Sequence, residues 1–103
     1  MMSLKAQAEA LGRTELEIKS EMAAALGRIG STLAQLIADL LRIRDEIRVL
    51  PEPERLLRIE SYNQIYSRAK QYYWYLIVQR EAIGITNHHS LRELYPLPER
   101  DLS

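Results

Sequence analysis

The sequence predicts an all-α protein, a long antiparallel helical hairpin with a short C-terminal helical turn that dimerises into a four-helix bundle. Three observations lead there. Leu4, Ala8, Leu11, Ile18, Met22, Ala25, Ile29, Leu33, Leu36, Leu40, Ile43, Ile47 and Leu50 recur at spacings of three and four, with Glu15 the one polar residue in the row. That period keeps them on one face of a helix. The segment Leu50-Pro51-Glu52-Pro53-Glu54 breaks the pattern, because a residue before proline is biased out of the helical region. Beyond the break lies a second seam, Ile59, Tyr62, Tyr66, Ala69, Tyr73, Leu76 and Ile83, with Arg80 as its charged member.

Helix one is expected over about residues 4–50 as part of a single domain, residues 1–103. Thr14 and Glu17 have capping-box spacing, so residues 1–12 could form a separate turn ending near Gly12, with the long helix beginning at about Glu15. The steps Met22, Ala25, Ile29, Leu33, Leu36 form a stutter in a coiled-coil repeat. Gly27 and Gly30 lie inside it, each costing roughly 1 kcal/mol relative to alanine. Unbroken, such a helix is ~70 Å long, which implies an elongated molecule.

Helix two is expected over about residues 54–83. Pro53 suits its first position, where no N–H is needed, and Gly84 suits its C-terminal stop. The tail, residues 85–103, should hold one short turn from Leu91 to Tyr95, started by the Ser90 and Glu93 pair. Tyr95-Pro96-Leu97-Pro98 should be extended, lying on its own chain or serving as a docking peptide.

The short link makes the helices antiparallel neighbours, with residues equidistant from Glu52 at one level. Gly30 then faces the level of Trp74, Gly27 that of Ile77, and Ala38 that of Tyr66. The stripe Gly30, Ala34, Ala38 is expected to form a groove for tyrosines, so Gly27, Gly30, Ala34 and Ala38 are candidates for close helix packing.

From Tyr72 to Val78 every face of helix two is apolar. A helix apolar all round is buried all round, and one neighbour cannot cover it. The hairpin alone leaves Trp74, Tyr75 and Val78 in water. Tyr72, Trp74, Tyr75 and Val78 are therefore the candidate interface of a two-fold dimer; the alternative is that the tail folds back over them. Helix two ends level with residue 20, so Leu4, Leu11 and Ile18 need the tail or another subunit.

Composition narrows the function classes. The chain has 14 basic and 14 acidic residues, split seven and seven in each half, so there is no basic stripe for nucleic acid. No cysteine is present for disulfides or thiolate metal sites. The longest apolar run is far short of a membrane span, and no secretory signal is visible. A cytoplasmic location, no cofactor, no nucleic acid and no membrane are the expectations. His88-His89 reads as a solvated loop pair and not as a metal site. Arg80 should pair with Glu17 or Glu21 across the hairpin. The mixed charges around Arg42 and Glu46 read as a solvated face, with Arg42–Glu46, Glu15–Lys19 and Glu54–Arg58 as pairs four apart. No phosphate loop, nucleophile elbow or catalytic triad spacing appears.

The best reading is a non-enzymatic interaction or scaffold protein acting through self-association and binding of another protein. The alternative is a helical-bundle ligand-binding protein or small enzyme with a pocket near Tyr66, Tyr73 and Arg80.

Overall fold

The computed structural model describes residues 3–100. It contains α1 (Leu4–Ile47), α2 (Glu54–Ala82) and α3 (Leu91–Leu94), with no strand among the described residues. The long helices pack against each other as a hairpin 74 × 25 × 14 Å in extent. Its radius of gyration is 20.4 Å, against ~13 Å for a compact chain of this length. The expected elongation follows from the uninterrupted run of α1.

That helix starts earlier than Thr14. The Ser3 hydroxyl accepts from the Ala6 N–H at 3.2 Å and caps the first turn. Thr14 sits mid-helix with its hydroxyl donating to the Ala10 carbonyl at 3.0 Å, so it opens no new helix. Neither Gly12 nor the Gly27–Gly30 stutter interrupts α1. Its last residue is Ile47, three short of the expected end, because Pro51 and Pro53 bias the chain ahead of them away from helix.

The link contains a cis Glu52–Pro53 peptide bond, and Pro53 is the N-cap of α2, one residue outside the expected position. At the far end of α2 the Gly84 N–H donates to the Glu81 carbonyl and the Ile85 N–H to the Arg80 carbonyl. This double bond is a Schellman motif. It needs a left-handed residue, and Gly84 supplies it with φ at +91°. The reversal sends the tail back along the hairpin.

The core is the α1 stripe Leu33, Leu36, Ile37, Leu40, Ile43 and Ile47 against Tyr62, Ala69 and Leu76 of α2, with Leu91 from α3. The three α2 positions are seven apart, two turns each, and share one face. Ala69, at the middle of the three, has no exposed surface. Half-buried Tyr95 and Leu97 pack against this cluster, and the Tyr62 hydroxyl donates to the Glu99 carbonyl. The tail thus lies in one groove between the two helices. Ser90 makes no side-chain cap; the backbone N–H groups of Glu93 and Leu94 donate to its carbonyl instead. Across the hairpin, Arg58 binds Glu46 at 2.6 Å. Arg42 also reaches Glu46, at 3.1 Å. Arg58 therefore takes its partner from α1 and not from Glu54. No helix among the described residues is long and apolar enough to cross a membrane.

Candidate functional site

Residues 72–78 show how three neighbours divide a helix that is apolar all round. Successive residues turn by 100°, so a packed neighbour covers only part of the circumference. Leu76 goes into the core against α1, and Tyr73 and Ile77 are half-buried beside the tail. The directions left over belong to Trp74, Tyr75 and Val78, which are 62%, 42% and 44% exposed. Trp74 and Val78 are one turn apart on the outer face of α2. Tyr72 is half-buried; its ring meets Tyr75 edge-on at 5.5 Å, and the Arg68 guanidinium lies over it at 5.8 Å. The tail does fold back, as the alternative had it, but on the flank of α2 that carries Tyr73, and the candidate interface stays open.

A second apolar surface adjoins this one. α1 outruns α2 by several turns, and where α2 stops, Ala82 and Ile83 meet Ile18 and Met22 around a ledge that also includes Glu15 and Lys19. Beyond the ledge Leu4, Leu11 and Ile18 remain exposed, since the tail leaves in the opposite direction.

The expected close-packing stripe divides. Gly30 is buried, and a Cβ built there would stand 2.5 Å from the Tyr95 hydroxyl oxygen. Its partner is the tail and not an α2 tyrosine. Gly27, Ala34 and Ala38 are exposed on the outer face of α1, and nothing lies within 4 Å of a Cβ at Gly27. The stripe is turned too far around the helix to meet α2: Leu33, Ile37 and Leu40 occupy the contact.

The trio Tyr66, Tyr73 and Arg80 does not converge on one pocket. Tyr66 stacks on Tyr62 at 6.3 Å near the tail's far end. Arg80 donates through its terminal nitrogen to the Asn87 carbonyl at 2.9 Å and through Nε to His88 Nδ1 at 3.2 Å. Neither Glu17 nor Glu21 is its partner. The Gly84 reversal brings the loop onto the last turn of α2, within closer reach than α1. His88 is consequently half-buried and not simply solvated. With Nδ1 accepting from Arg80, its Nε2–H donates to Glu81 at 3.2 Å. His89 is exposed. Nothing in the order of residues along the chain signalled this node except Gly84 itself.

Tyr73 does line a cavity, of about 580 Å³, together with Lys70, Trp74, Ile77, Arg92, Tyr95, Pro96 and Leu97. Sequence reasoning missed Lys70 and Arg92, because only the folded-back tail brings them to one place. Among the described residues no group of three or more His, Asp or Glu side chains is placed to hold a metal ion. Compared with known proteins, the chain matches no family model, no curated protein and no solved structure.

Proposed function

We propose that this chain is a non-enzymatic interaction protein that self-associates through the outer face of α2, forming a two-fold dimer that presents helical surfaces to a further protein partner. The observation that carries the reading is the adjacency of exposed Trp74, Tyr75 and Val78 on one helix face, left open after both α1 and the tail have packed. Apolar surface of this kind marks interaction sites. The exposed Leu4, Leu11 and Ile18 add a separate apolar surface on the overhang of α1.

Burying a large apolar side chain contributes about 1.5–3 kcal/mol, and a two-fold interface counts each residue twice. Trp74→Glu should therefore weaken association by about a hundredfold or more. Sedimentation equilibrium at micromolar concentration should give a dimer for the natural chain and a monomer for the variant, with unchanged helical circular dichroism. A natural chain that sediments as a monomer throughout overturns the proposal.

A further inference from the structure

The cavity between α2 and the tail has a composition that selects a ligand. Tyr73, Trp74 and Ile77 wall it from α2, and Tyr95 and Leu97 from the tail, while its only charged lining residues are Lys70 and Arg92. No carboxylate lines it, and neither cation is in an ion pair among the described residues. In a chain of zero net charge, two cations outside any ion pair on one apolar cavity with no carboxylate in its lining are a local charge excess. Its volume of about 580 Å³ falls within the range of small-molecule sites. Arg92 also borders the adjoining recess with Asn87 and His88, so the apolar chamber opens at a polar, cationic end.

We propose that this cavity is a binding site for a small amphipathic organic anion, an apolar body with one carboxylate or similar acidic head. The apolar body lies among Tyr73, Ile77 and Leu97, and the head is held by Lys70 and Arg92. Both cations are exposed, so an apolar body without the head forgoes their charge-assisted contacts, and a cationic head is repelled by them. The site shares Trp74 with the proposed self-association face, but its two cations and its tail wall lie on the other flank of α2, and it is complete within one chain.

Decanoate is the probe, with decanol and decyltrimethylammonium as its neutral and cationic counterparts. Trp74, the single tryptophan, reports directly from the cavity wall, and calorimetry gives stoichiometry. Decanoate should bind saturably, one per chain, below its micellar range, with decanol at least about tenfold weaker and the ammonium not bound. Arg92→Gln and Lys70→Gln should each weaken decanoate about tenfold and leave decanol unchanged. Equal affinity for all three head groups, no saturable binding, or variants that bind decanoate normally overturn the proposal. A response to phosphatidylglycerol vesicles without one to monomeric decanoate overturns it as well, assigning the cations to a membrane surface. Sedimentation of the same samples keeps a failure of dimerisation separate from a failure of binding.

Discussion

Gly30 and Gly27 are one turn apart on α1, and alanine at the two positions should act in opposite directions. In an exposed helix interior, Gly→Ala contributes about 1 kcal/mol through helix propensity. At Gly27 nothing lies within 4 Å of the new methyl group, so the whole gain should appear. That corresponds to a rise in Tm of roughly 4–8 °C for a domain of this size. At Gly30 the methyl group would stand 2.5 Å from the Tyr95 hydroxyl oxygen, and something must shift. Overpacking of this kind costs about 1–3 kcal/mol, so the gain is cancelled or reversed. The ring carbon behind the hydroxyl is 3.4 Å away, an ordinary contact. Tyr95→Phe should therefore relieve the clash, and Gly30→Ala should become stabilising in that background. Thermal and urea unfolding of the four chains followed by circular dichroism, at one protein concentration, completes a double-mutant cycle. The expected coupling is about 1 kcal/mol or more. Equal stabilisation by Gly30→Ala with Tyr95 or Phe at position 95 refutes the placement of the tail on α1.

Other expectations use different parts of the molecule. Leu91→Ala should destabilise by about 2–3 kcal/mol, since this side chain is 1% exposed and anchors the tail; an unchanged urea midpoint counts against it. Removing residues 3–13 should leave the monomer's unfolding midpoint nearly unaltered, because Leu4 and Leu11 are exposed, and a large fall would contradict the fold. The Glu46 carboxyl is held below its ordinary 4.5, chiefly by the hydrogen bond from Arg58. A depressed folded value means stability present above pH 4.5 and lost as pH falls through it, so Glu46→Gln should flatten the acid side of the stability profile. Burial pushes the Tyr62 hydroxyl above its ordinary 10.0. A raised folded value means stability present below pH 10.0 and lost as pH rises above it, and Tyr62→Phe should remove that alkaline loss, which unfolding at graded pH measures.

The hairpin was legible because its signals are local and redundant. Leu33, Leu40 and Ile47 keep one phase over four turns, the two prolines make the break, and Gly84 is the residue a left-handed helix stop requires. The exposed α2 face was legible for a related reason: a helix apolar on every side outnumbers the neighbours one hairpin can offer. What the order of residues could not convey was azimuth. Ala34 and Ala38 have the spacing of a packing groove, yet a rotation of about a quarter turn puts them in water. Partner choice was hidden as well. Arg80 and Gly30 each had candidates on the opposite helix, and each is matched within the reversal after Gly84 or along the tail it redirects. The cavity with Lys70 and Arg92 depends on that same redirection, which brings together positions 22 apart in the chain.

The unequal arms of the hairpin give the rod a polarity. One tip is closed by the proline link, and the other is a single bare helix reaching past the end of its companion. Two copies meeting by these bare tips around a dyad would each occupy the space the other leaves vacant, and no further tip would be presented. As the sole dyad, contact by that route terminates at a pair; beside a separate dyad on the outer face of α2 it would link pairs into a chain.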